Sequence, residues 1–109
     1  MKELERLGEI RLYEDDWNYT SSIHMKVSDE RVYVTEFDYE ITNPTIKRPN
    51  CKRRIISVRL KPLMKALNVF EDGFILEMKN RFGRFDGVDL LRTFLDEHGI
   101  NYDFREVIA

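Results

Sequence analysis

The sequence predicts a single α+β domain, in which an antiparallel sheet of about four to six strands carries one main helix and one short helix. A chain of 109 residues, of which 42% are hydrophobic, can form one buried core and is too short for two. Several segments place an apolar residue at every second position and are joined by short polar connections, as antiparallel strands usually are. One segment near the C-terminus instead has a helical period with clear start and stop signals.

The chain is expected to begin with one helical turn at residues 2–7, followed by two strands. Leu4 and Leu7 would lie on one side of that turn. Residues 10–13 and 23–27 each alternate apolar with polar side chains, and a polar, turn-like stretch separates them. Connections this short predict a hairpin or a meander.

The longest strand is predicted at residues 31–41, where a two-residue period is clearest. Glu36, Asp38 and Glu40 occupy even positions, so we expect these three carboxylates to form a row facing solvent. The odd positions are expected to face the core. This core-facing set is Tyr33, Phe37, Tyr39 and Ile41, with Thr35 among them.

A basic loop is predicted at about residues 42–54, because this segment holds two prolines, two asparagines and five basic side chains. Long connections in compact domains often carry function. Alternation resumes at residues 54–60 and predicts another strand. Pro62 is unfavourable inside a helix but favourable in the first turn, so a short helix is expected at about residues 62–68.

Residues 74–79 are interpreted as a further strand. The pair Asp72-Gly73 is typical of a turn, and the three apolar residues that follow it alternate with polar ones. Those residues are Phe74, Leu76 and Met78.

The main helix is predicted at about residues 86–98. Asp86 can cap its N-terminus, and Phe85 and Leu90 occupy the positions of a hydrophobic staple. His98 and Gly99 are typical of a helix end. Tyr102 and Phe104 then predict a closing strand.

Charge is unevenly distributed along the chain, although the formal net charge is only −2. Residues 1–46 and 85–109 are acidic overall, whereas residues 47–84 carry 11 basic side chains against three acidic ones. This asymmetry indicates an acidic partner, either nucleic acid or protein. The alternative is that the acidic and basic segments neutralise each other within one fold.

The residue types needed for common catalytic and metal sites are scarce. One Cys and two His do not supply a usual zinc site, and the sequence contains no phosphate-binding loop or nucleophile elbow. Cys51 lies among basic residues that favour a thiolate, but no histidine is near it in sequence. We therefore expect a non-enzymatic protein without a cofactor or metal.

No membrane contact is expected. The apolar runs are far shorter than the roughly 20 residues that a membrane-spanning helix needs, and residues 1–7 are charged rather than signal-like. The expected location is cytoplasmic.

The leading hypothesis is a protein-binding or inhibitor-type protein that acts by charge complementarity. The carboxylates of Glu36, Asp38 and Glu40 would contact the partner, with Trp17 and Tyr19 as aromatic anchors. In size and composition the chain resembles small accessory or inhibitor proteins of phages and mobile elements. A solvated, non-binding sheet face is the alternative interpretation of the carboxylates.

The second hypothesis is a nucleic-acid-binding module that uses the basic segments 47–61 and 79–84, the latter interleaving arginines with aromatic rings. The residues predicted to bind nucleic acid are Arg48, Lys52, Arg53, Arg54, Arg81 and Arg84. A third hypothesis is a homo-oligomer in which the basic middle segment docks on an acidic flank of a second copy.

Overall fold

The computed structural model describes residues 2–15, 19–40 and 51–108, and within these ranges the side chains of Lys2, Tyr19, Thr20, Tyr39, Glu40 and Cys51 are not described. Trp17, Ile41, Arg48 and the predicted loop up to residue 50 therefore lie outside the described residues.

The described chain folds into one five-stranded antiparallel sheet and four helices, which confirms the predicted α+β class. The sheet is a meander with the order β1-β2-β3-β4-β5. In chain order the elements are α1 (Lys2–Arg6), β1 (Ile10–Asp15), β2 (Tyr19–Ser28), β3 (Arg31–Glu40), β4 (Cys51–Arg59), α2 (Leu60–Leu67), α3 (Glu71–Phe82), α4 (Gly87–Glu97) and β5 (Tyr102–Ile108).

A tight turn joins β2 to β3 and fixes their register. Asp29 and Glu30 both have positive φ, 52° and 61°, as the two-residue turns that match the twist of a hairpin require. The pairing runs from Ser28 opposite Arg31 to Tyr19 opposite Glu40. The predicted meander at this point is confirmed.

The helices pack on one face of the sheet and enclose the core with it. Fully buried residues alternate along β2, β3 and β4, so they point to the same side of the sheet. The sheet residues in the core include Ile23, Met25, Val27, Val32, Val34, Ile56 and Val58. The helical residues in the core include Leu63, Phe74, Met78, Leu91 and Leu95. We call the opposite side, on which none of the described helices packs, the open sheet face.

The predicted facing of β3 is wrong. Val32, Val34 and Glu36 point into the core, whereas Tyr33 and Phe37 lie on the open sheet face. The neighbouring strands decide the facing, because Val34 pairs with Met25 on one side and Ile56 on the other, both fully buried. A slip of one residue would move the whole set to the wrong face.

The strand predicted at residues 74–79 is also wrong, because these residues belong to α3. Phe74, Met78 and Phe82 are buried at a spacing of four residues, whereas Leu76 is 63% exposed. The two-residue pattern therefore came from one apolar residue on the solvent side of a helix. Glu71 and Asp72 lie in the first turn, where negative charge favours helix formation.

The three predicted helices are present as α1, α2 and α4, and their ends lie within two residues of the predicted ones. α2 begins at Leu60, which leaves Pro62 in the first turn, where a missing N–H costs no helical hydrogen bond. It ends at Leu67, and the residue that follows, Asn68, has a φ of 58°, a left-handed conformation that commonly ends helices. Residues 51–54, predicted as part of the basic loop, belong to β4.

Asp86 precedes α4 as predicted, but within the described chain its carboxylate makes no capping hydrogen bond. It lies 2.8 Å from Nε of Arg84 and forms an ion pair with it. Phe85, one of the two residues of the predicted staple, is 64% exposed, whereas Leu90 packs against the core. Among the described helices, none is both long and apolar enough to cross a membrane.

Candidate functional site

A buried ion pair connects β3 to β4 beneath α4. Glu36 lies opposite Arg54 in the strand register, on the side of the sheet that the helices cover. Nε of Arg54 donates to Oε1 of Glu36 at 2.6 Å, and Nη2 donates to Oε2 at 2.9 Å. Nη1 also donates to Oδ1 of Asp89 on α4 at 2.8 Å. One arginine thus satisfies a buried carboxylate at both oxygens and fixes a helix to the sheet.

Electrostatics favour the charged forms of Arg54 and Asp89. The hydrogen bond with Glu36 raises the pKa of Arg54 further above its usual value, against the opposing effect of burial, and Asp89 adds to the increase. The hydrogen bond from Arg54 lowers the pKa of Asp89. A cluster whose members are hydrogen-bonded to each other in this way is a structural contact and a poor candidate for acid–base chemistry.

A second ion pair joins β4 to the next strand of the sheet, β5. Nζ of Lys52 is 2.8 Å from Oε1 of Glu106 on β5, and this contact lowers the pKa of Glu106. Asp38, which is half-buried, lies opposite Lys52 in the register. The acidic residues of β3 and the basic residues of β4 therefore face each other within one sheet.

This arrangement corrects two predictions. Glu36 is 2% exposed and is not part of a row in solvent. Lys52 and Arg54 contact carboxylates of this chain, so they do not form an open basic patch with Arg53. Two other predicted site residues, Tyr19 in β2 and Glu40 in β3, lie opposite each other in the register. Their side chains are outside the described part of the structure.

Two arginines at the end of α3 and just after it also contact groups of this chain. Arg81 bonds to Glu77 one turn earlier, and its guanidinium lies 5.4 Å from the ring centroid of Phe94. Arg84 forms an ion pair with Asp86. Both lie on the helical side of the molecule, whereas Arg53 alternates onto the open sheet face. The structure does not bring the two basic segments into one surface at these residues.

The open sheet face carries aromatic rings in its centre. His24 and Phe37 make an edge-to-face contact at 5.5 Å, and the guanidinium of Arg53 lies 5.9 Å from the centroid of Phe37. His24 also contacts Ser22 Oγ at 3.1 Å and a carboxylate oxygen of Glu9 at 3.4 Å. His24 therefore lies on the strand face away from the core.

The same face has an excess of positive charge. By alternation and register, the basic side chains on it are Arg11, Lys26, Arg31, Arg53, Arg59 and Arg105, and the acidic ones on its strands are Glu14 and Asp103. Because the whole chain has a formal charge of −2, the rest of the molecule carries the negative excess.

Tyr33 stands between two hollows on this face, and its side chain is 37% exposed. The larger is a groove of about 500 Å³, lined by Tyr33, Ile55, Ser57, Asp103, Phe104 and Arg105. The smaller, of about 200 Å³, lies towards His24 and Lys26. The sequence analysis missed this site because it assigned the rings of β3 to the core. Aligning the apolar residues of β3 with those of β4, such as Val32 with Val58, would have placed the rings on the opposite face.

No site for a metal ion is found among the described residues, since no three or more of their His, Cys, Asp and Glu side chains are suitably grouped. Comparison with known proteins finds no matching family model, no matching curated protein and no matching solved structure. Function is therefore inferred from the residues of this chain alone.

Proposed function

We propose that the protein is a non-enzymatic nucleic-acid-binding protein, and that it holds single-stranded RNA or DNA on its open sheet face. The observation that carries this proposal is the combination of positive charge with an exposed ring, Tyr33, and a half-buried one, Phe37, on one sheet surface. Tyr33, Phe37 and Arg53 lie at its centre, and the other basic side chains surround them.

The two kinds of side chain serve different parts of a nucleic acid. Lys and Arg neutralise phosphates and hold the backbone without regard to sequence. Aromatic side chains on a sheet stack against bases, and each such contact contributes roughly 1–3 kcal/mol to binding. Stacking on a ring that stands on a sheet needs an unpaired base, so the geometry favours single strands over a duplex.

The protein-partner hypothesis loses its original geometry, because Glu36 is buried and bonded to Arg54. An acidic protein surface is the remaining protein candidate, and it would use the open sheet face as well. Two copies meeting through this face would bring like charges together, which opposes a symmetric dimer there.

Fluorescence anisotropy with labelled single-stranded octanucleotides at low salt tests the proposal. Tyr33→Ala should weaken binding by about tenfold, the loss expected for one stacked base. Phe70→Ala is the matched control, because Phe70 is an aromatic residue that is 86% exposed between α2 and α3. It should bind like the unmodified protein.

The same titration at increasing salt separates this site from the basic segments predicted earlier. Arg53→Gln should reduce the dependence of affinity on salt by the equivalent of about one phosphate contact, whereas Arg81→Gln should not. If the unmodified protein retains neither RNA nor DNA strands, the proposal is wrong, and capture of an acidic protein becomes the better explanation of the face.

A further inference from the structure

The groove beside Tyr33 has the size and polarity of a small-ligand site. Its volume of about 500 Å³ lies within the range of pockets that hold small molecules. Tyr33 forms one wall, and Ile55 is an apolar neighbour on the adjacent strand. Ser57 lies opposite Tyr33 in the register, and Asp103 lies opposite Ser57. An aromatic wall beside a polar row suits a flat heterocycle with hydrogen-bonding edges.

Asp103 carries a negative charge on a face whose charged side chains are mostly positive. Its side chain is 82% exposed, and it stands among arginines on a face with a positive excess. A carboxylate at this place would repel phosphates, so it is unfavourable if the face contacts only the backbone of a nucleic acid. A carboxylate accepts hydrogen bonds, and the N–H groups of a base are suitable donors for it.

Arg31 fixes the polar row and determines which hydrogen bonds remain for a ligand. Its Nε donates to Ser57 Oγ at 2.9 Å, and its Nη2 lies 3.3 Å from Oδ2 of Asp103. Because Ser57 Oγ accepts from Arg31, the hydroxyl hydrogen can point into the groove as a donor. The groove therefore presents one hydroxyl donor beside a carboxylate whose Oδ2 already accepts one hydrogen bond from Arg31 and whose two oxygens have lone pairs left for a ligand.

We propose that this groove binds a single guanine base of the strand, an inference that rests on the proposed function. Guanine places two N–H donors, N1 and N2, next to the acceptor O6 on one edge. The donors match the carboxylate of Asp103, and O6 matches the hydroxyl of Ser57. The ring then stacks on Tyr33, and Arg105 at the edge of the groove contacts an adjoining phosphate.

The other bases present the wrong pattern to this row. Adenine and cytosine each have one amino donor beside a ring nitrogen that accepts, and this nitrogen would face the carboxylate. Uracil has one N–H between two carbonyl oxygens. A bidentate contact of this kind discriminates between bases by about tenfold or more.

Four RNA octamers test the inference, each an oligouridylate whose fourth base is G, A, C or U. The unmodified protein should bind the G strand about tenfold more tightly than the other three. Asp103→Asn should remove this preference and should bind the U strand more tightly than before, because a negative charge is lost from the face. Asp96→Asn, the same change at an exposed position of α4, is the control and should keep the preference.

The outcomes distinguish the two proposals. If the protein binds all four octamers equally, or keeps its preference in Asp103→Asn, the guanine site is wrong and the proposed function stands. If it binds none of them, both are wrong. Circular dichroism of each variant establishes that the fold is intact.

Discussion

Glu36 is the charged side chain that contributes most to holding β3 and β4 together beneath α4. It is buried, and both of its oxygens accept hydrogen bonds from Arg54. A buried ion pair is costly to form but still costlier to break, because removing one partner leaves the other charged and poorly solvated. Asp89 compensates Arg54 only in part, from the more exposed side.

Glu36→Gln should therefore destabilise the protein by about 2–4 kcal/mol. Glu97→Gln, which neutralises an exposed glutamate on α4, is the control and should change stability little. Urea denaturation followed by circular dichroism measures both. Similar midpoints for the two variants would contradict the structural role given to Glu36.

Asp89 should make the stability of the protein depend on pH in the acid range. Arg54 lowers the pKa of Asp89 in the folded state, so this contact stabilises the fold above the usual aspartate pKa of about 4. The stabilisation is lost as the pH falls through the lower, folded-state pKa.

Asp89→Asn should thus be less stable than the unmodified protein near neutral pH and equally stable in strong acid. Denaturation midpoints from pH 7 down to pH 2 measure the difference. A constant difference over the whole range would show that the carboxylate charge is not responsible.

At the level of elements, the start of α4 packs tightly against the end of α3 and against β2. A Cβ added at Gly87 would lie 2.0 Å from the carbonyl oxygen of Phe82 and 3.0 Å from Cδ1 of Ile23. At Gly73, inside α3, the nearest atom would be Cβ of Val69 at 4.0 Å. Gly87 therefore has no room for a side chain, whereas Gly73 has room for one.

These two glycines give opposite expectations for the same substitution. Gly87→Ala should destabilise the protein by about 1–3 kcal/mol through overpacking. Gly73→Ala should stabilise it by about 0.5–1 kcal/mol, since alanine is the better helix former. Thermal or urea denaturation of the two variants tests the packing, and a destabilised Gly73→Ala would show that α3 is not the helix described.

The elements that the sequence predicted correctly are those with local signals. β1, β2, β4, β5, α2 and α4 have clear alternation, a proline in the first turn or a glycine after the last. α3 was missed because Leu76, exposed on its outer side, completed a false two-residue pattern. The facing of β3 was missed because both of its faces carry apolar side chains, and only the pairing with β2 and β4 decides between them.

The same limit applies to the candidate site at the scale of the whole molecule. The sequence shows that basic and acidic segments are separate along the chain. Neutralisation of one by the other within the fold was one of the two interpretations of this pattern. The structure pairs Glu36 with Arg54 and Lys52 with Glu106, so much of the asymmetry is internal. The positive charge that is not neutralised in this way lies on the open sheet face. Its side chains come from five strands, so no single segment of the sequence has a pattern that predicts this face.

Photocrosslinking tests the central claim most directly, because ultraviolet light joins a base to the aromatic side chain stacked against it. The protein would be irradiated with single-stranded RNA octamers and the modified peptides identified by mass spectrometry. We expect crosslinks at Tyr33 or Phe37 on the open sheet face. Crosslinks confined to Phe70 and Phe85 on the helical side would contradict the account.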